Sequence, residues 1–181
     1  MRPVFCALFA LVALSSTAFA TATVTLVLQF DARHSESSVS AMQQELQSLM
    51  RDSGVELSWR RAGELSASDS FPSVVVVTFH GSCEMNTLAP PLPSQPVALG
   101  YSHVSGGEVI PFAEVECDHV RSSLRSAHAE FGPDGDVLLG RALGRVLAHE
   151  LHHIIDGTRA HGQHGISRKS LSPRDLIADR I

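Results

Sequence analysis

From residue 21 onward the apolar and polar positions change period several times, and each change predicts an element. "TATVTLVLQF" (21–30) alternates Thr and Val before turning fully apolar, which predicts a strand. "SESSVSAMQQELQSLMRDSG" (35–54) places Val39, Met42, Leu46, Leu49 and Met50 at helical spacing, with Gly54 as the stop. "VELSWR" alternates again, with Val55, Leu57 and Trp59 on one face. "SVVVVTF" (73–79) is apolar at successive positions, as expected of a central strand covered on both faces. "NTLAPPLPSQP" is a Pro-rich loop within one domain, since too little chain lies on either side to fold alone. "VALGYSHVSGGEVIPFAEVEC" reads as two strands around the turn "SGG". Pro111 cannot donate to a sheet ladder, so it is expected at an edge or just before the second strand proper.

A helix is expected from about Asp118 to Phe131, followed by the loop "GPDG". A last long helix runs from an N-cap at Asp136 to a C′ residue at Gly157. The order predicts an α+β fold. It comprises a mixed, twisted sheet with a backing helix, a second long helix and a short irregular C-terminal segment.

The first twenty residues stand outside this pattern. Arg2 supplies a positive start, "VFCALFALVAL" is a short apolar run, and "AFA" at 18–20 is a small-x-small cleavage site. They are expected to be a signal peptide, leaving 21–181 as one exported domain, secreted or periplasmic. The apolar run is too short for a stable membrane span. Cleavage removes Cys6 and leaves Cys83 and Cys117, an even pair that reads as one disulfide in an exported chain. It also removes Arg2, so 13 basic residues face 19 acidic ones, a net charge of −6. That balance argues against a nucleic-acid partner or an anionic membrane surface.

Charge and composition say nothing of chemistry; "VLAHELHHIID" (146–156) does. At about 100° per residue, His149 and His153 project from one face about 40° apart, and Glu150 flanks them. Leu139, Leu143, Val146, Leu147, Leu151, Ile154 and Ile155 form a broad apolar arc. Gly140 and Gly144, four apart, would let a neighbour approach closely. His152 falls on the strip of Arg141 and Arg145, which reads as solvated, so it is expected at the surface. HExxH on a helix lets two imidazoles bind one Zn²⁺, with the glutamate as general base toward water.

"LGRVLAHELHH" (143–153) resembles the active-site helix of zincin metalloproteases, and in particular the metzincin motif HExxHxxGxxH. The resemblance implies a zincin-like fold, zinc, and hydrolysis of peptide bonds with Glu150 as general base. It also implies a third histidine beyond a glycine turn. Gly157 comes one residue later than the pattern, and His161 lies eight residues after His153 instead of six. His161 is the expected third ligand. His164 is the alternative, and Asp175 in "SPRDLIAD" is a further one on a gluzincin-like reading. No methionine follows Met85, so the methionine turn of metzincins has no counterpart. "ISRKSLSPRDLI" must supply the floor, through Leu171 and Leu176.

Zincins bind extended peptide along an edge strand, which points to the hairpin 97–116 as the substrate rail. Tyr101 and His103 either pack into the sheet or stabilise an oxyanion. Glu114, Glu116 and Asp118 are either a solvated strand face or carboxylates orienting a zinc histidine. The expected partner is a peptide or protein substrate, and the expected state is a monomer. Two other readings stand beside the peptidase. One is a non-catalytic protein that sequesters Zn²⁺ or Cu²⁺ through its histidines; the other is an inactive scaffold of the same fold.

Overall fold

The computed structural model describes residues 22–51, 53–86, 88, 91, 97–127 and 131–181. The leader at 1–20, much of the Pro-rich loop and positions 128–130 of the expected 118–131 helix lie outside the described residues. The strands are β1 (Ala22–Phe30), β2 (Val55–Arg61), β3 (Val74–His80), β4 (Gly100–Ser105) and β5 (Glu108–Glu116). The α-helices are α1 (Glu36–Arg51), α2 (Cys117–Ala127), α3 (Gly135–Ile155) and α4 (Pro173–Ile177).

The strands form one mixed sheet in the order β2-β1-β3-β5-β4. All pairs are parallel except β4 with β5, which are antiparallel across the tight turn at Gly106 and Gly107. Parallel neighbours need crossovers, and α1 supplies the one from β1 to β2. The core gathers alternate residues of the inner strands: Leu26 and Leu28, Val75, Val77 and Phe79, Ala113 and Val115. Met42 and Leu46 of α1 and Leu139, Leu143, Leu147 and Leu151 of α3 pack against them.

The expectation that β3 is covered on both faces is corrected. Val75, Val77 and Phe79 are buried, whereas Val74, Val76, Thr78 and His80 are half-buried. The core takes only one face of this strand, and a run of four valines cannot report which. Pro111 lies inside β5, but where the β4 pairing shifts register between Ser102 and Val104. Pairing of β5 with β3 begins one residue later, at Phe112, so the missing N–H breaks no ladder bond between them.

Helix α3 positions everything that follows. Its N-cap is Asp134, not Asp136, because the Asp136 carboxylate accepts the Met85 amide at 2.6 Å instead. Gly140 and Gly144 meet α1 as their spacing suggests. A Cβ on Gly140 would collide with the Ser38 carbonyl and Ala41, and one on Gly144 would lie 2.9 Å from the Met42 carbonyl. The strip assigned to solvent is also corrected: Arg145 is 1% exposed. Its guanidinium donates to Glu45 Oε1 of α1 at 2.7 Å and to the carbonyls of Asp175 and Ala178, which clasps α4 against α3. The disulfide joins Cys83, after β3, to Cys117 at the start of α2, across 34 residues.

Candidate metal centre

The last turns of α3 carry His149, Glu150 and His153 to the open edge of the sheet. Gly157 then adopts φ 58°, which a side chain would resist, and the chain doubles back. The Thr158 amide closes the turn on the His153 carbonyl at 3.0 Å. The returning segment brings His161 over the helix, where its ring stacks on His149 at 5.2 Å and meets His153 edge-on at 4.8 Å. One ring nitrogen from each of the three histidines lies within 4.8 Å of the others.

The hydrogen bonds decide which nitrogens these are. His149 Nδ1 donates to the Ile166 carbonyl at 2.6 Å, and His153 Nδ1 donates to the Thr158 carbonyl at 2.9 Å. A carbonyl only accepts, so both neutral rings carry their proton on Nδ1 and turn a bare Nε2 inward. The two Nε2 atoms stand 3.1 Å apart. Facing lone pairs repel unless a cation lies between them. Burial holds both imidazoles below their ordinary pKa, so a proton is poorly suited to the task. Three imidazoles, two of them with tautomers fixed by backbone carbonyls, are the donor set that Zn²⁺ accepts.

Glu150 is 5% exposed. Burial pushes its pKa up to about 7, against the hydroxyl and backbone amide of Ser102 on β4, which draw it down. The Ser102 amide is free to do this because β4 is the sheet edge. The Glu116 amide donates to the Leu99 carbonyl at 2.9 Å, and strand alternation then turns Gly100 and Ser102 together toward the open side. Gly100 lets β4 touch α3, since a Cβ there would sit 2.8 Å from Val146 Cγ1. Between β4 and the histidines lies a cleft of about 770 Å³ with Arg159, Arg168, Lys169 and Leu171 on its walls.

The remaining candidates fall elsewhere. His164 caps the short 3₁₀ turn Gly165–Ser167 through its backbone and stays outside the histidine group. Asp175 is occupied too. Its carboxylate accepts from the Ser172 hydroxyl and amide and pairs with Arg168 at 3.0 Å, which together hold its pKa near 2. His152 turns away to Asp156 at 2.7 Å, as expected of a residue off the ligand face. Leu176 is buried in the core and Leu171 lines the cleft.

Tyr101 borders the cleft, but its hydroxyl, like the His103 ring, is engaged on Glu114. The Tyr101 hydroxyl donates to Glu114 Oε2 at 2.6 Å, and that bond raises its pKa to about 12. His103 Nε2 lies 2.6 Å from Glu114 Oε1. Both polar tips are therefore held by Glu114. Nor do the acidic residues orient a histidine of the α3 group: those partners are the carbonyls of Thr158 and Ile166, and Asp118 pairs with Arg121. The two carbonyls, and the approach of Ser102 to Glu150, were missed from sequence. Ser102 had one legible signal, its place two residues after Gly100 on an expected edge strand.

No family model matches the sequence, and no curated protein matches it. Among solved structures, the chain is similar to archaemetzincin from Methanopyrus kandleri. The TM-score is 0.53 over 91% of each chain, at 13% sequence identity. The fold is zincin-like. An identity that low carries the architecture alone; in the zincin-like fold of this chain, the histidine group rests on its own geometry.

Proposed function

We propose that this chain is an exported zinc-dependent hydrolase, most simply a metalloendopeptidase. One observation carries the reading: three imidazoles with inward-facing nitrogens converge beside a buried carboxylate at the open edge of the sheet. His149, His153 and His161 would hold Zn²⁺, which supplies Lewis acidity toward a carbonyl oxygen and makes water more acidic. Glu150 takes the proton of the attacking water on a carboxylate oxygen and delivers a proton to the departing amine nitrogen. Its raised pKa suits both halves of that transfer near neutral pH. Ser102 holds the carboxylate in place until substrate arrives. The outward backbone groups of Gly100 and Ser102 offer an extended peptide a strand to pair with, so recognition there depends little on side chains.

Export is part of the proposal. The Cys83–Cys117 disulfide supports it, because thiols stay reduced in most cytosols. Sequestration of metal would give Glu150 no task, and a carboxylate buried this deeply is costly to keep without one.

The test is Glu150→Gln assayed for bound zinc and for cleavage of a peptide library. The variant is expected to keep zinc near one per chain at the α3 site while hydrolysis falls to background. Wild-type protein that cleaves nothing with zinc bound, or a variant that cleaves normally, overturns the reading.

A further inference from the structure

A second group of metal-binding side chains lies on the other face of the sheet. Ala113 and Val115 of β5 point into the core, so Glu114 and Glu116 point away from it. His80, at the end of β3, pairs in register with Glu116, which puts all three side chains on one patch of two rigid strands. One ligand atom from each lies within 4.8 Å of the others. His103, from β4, borders them through its contact with Glu114.

The bonding of His80 is what calls for a cation. Its Nδ1 meets Asp31 Oδ2 at 2.8 Å, and Asp31 is itself held by the Gly81 amide at 2.9 Å. Its Nε2 meets Glu114 Oε2 at 2.8 Å. A neutral ring has one proton for these two carboxylates, so one face of the imidazole is left as a lone pair against negative charge. Either a second proton or a metal ion resolves this. Without a metal the Asp31 and Glu114 bonds do raise the pKa of His80. The Asp31–His80 pair also has the form in which metal-bound histidines are oriented, with a carboxylate on the nitrogen remote from the ion.

We propose that His80, Glu114 and Glu116 form a second divalent-cation site, on the face of the sheet opposite the α3 histidines. Imidazole nitrogen mixed with carboxylate oxygen selects Zn²⁺, Co²⁺, Ni²⁺ or Cu²⁺ over Mg²⁺ or Ca²⁺. The ion takes the place of the proton on His80 Nε2 and relieves the repulsion between Glu114 and Glu116. Tyr101 keeps its hydrogen bond to Glu114 and steadies that ligand.

The experiment is calorimetric titration of the purified, chelator-stripped protein with Zn²⁺, repeated with Co²⁺ and read by its visible absorption. Wild type is expected to take up two equivalents. His149→Ala with His153→Ala is expected to keep one. In that background His80→Asn with Glu116→Gln removes it, and Asp31→Asn weakens it by roughly tenfold. His152→Ala, at the surface, leaves it unchanged. Should the double substitution unfold the protein, Glu116→Gln alone gives the reading: weaker binding supports the site and unaltered binding overturns it. A background that binds no zinc, or one whose binding survives loss of His80, reduces the group to a hydrogen-bond network and sinks the proposal.

Discussion

Glu150 must carry charge to act as a base, yet its surroundings favour the neutral acid. Burial raises its folded-state pKa from 4.5 to about 7, against the two Ser102 bonds that pull it down. A pKa raised on folding adds stability below the unfolded value, and that stability disappears as pH climbs through the folded value. In metal-free protein, wild type and Glu150→Gln should therefore be equally stable below about pH 4, where both side chains are neutral in the folded and the unfolded chain. Above about pH 8 the Gln variant should be more stable, by at most about 3 kcal/mol. Denaturant titration in chelator measures the gap, and a gap that ignores pH refutes the assignment. At the same scale, His161→Ala should strip zinc from the α3 site far more than His164→Ala, read by metal analysis after dialysis. Equal losses would move the third ligand to the neighbouring loop. The pair on α3 was legible because helical spacing fixes a face. His161 was legible only through the resemblance to a motif. The Thr158 and Ile166 carbonyls could not be read at all, since every residue has one and only the fold says which is aimed.

Elements succeed or fail by how closely they approach. Where α1 crosses α3, Gly140 leaves no room for even a methyl group, because the neighbour is backbone and cannot rotate away. Gly140→Ala should cost about 1–3 kcal/mol by overpacking, against almost nothing for Gly63→Ala, whose added carbon meets open space. Equal melting temperatures for the two would mean that the helices separate freely. The glycine pair announced this contact in sequence. Arg145 announced the opposite of what it does, because an arginine between apolar positions reads as solvated unless its acceptors are known. Those acceptors are two carbonyls around α4 and a carboxylate on α1. The same ignorance moved the α3 cap: Asp136 looks like an N-cap until Met85 arrives to use its carboxylate.

At the scale of the whole molecule, the alternation of strands and helices was readable, and strand order was not. Period-2 patterns say which residues share a face but not which strand lies beside which, so the meeting of His80 with Glu116 required the sheet itself. The cysteine pair was readable because two cysteines after an expected leader leave one pairing to form. Its loop of 34 residues is worth about 3–4 kcal/mol by restricting the unfolded chain. Reduction, or Cys83→Ala with Cys117→Ala, should lower the denaturation midpoint accordingly, while the α3 histidines keep their zinc because neither cysteine touches them. A reduced protein as stable as the oxidised one would show that its unfolded state is already compact.

The outward amide of Ser102 is also a hazard. A strand edge left unpaired is available to the same edge of another molecule, and edge-to-edge pairing is how sheet proteins begin to aggregate. Where the Ser102 amide is turned to Glu150, the edge is stoppered. Substituting Glu150 with alanine, the usual way to silence a base, pulls the stopper; glutamine can still accept the bond. Alanine-variant solutions should scatter more light than glutamine-variant solutions at matched concentration. Identical scattering would mean that the edge is guarded by something else. The inactive form best suited to crystallisation or storage is then the glutamine one, for a reason unrelated to catalysis.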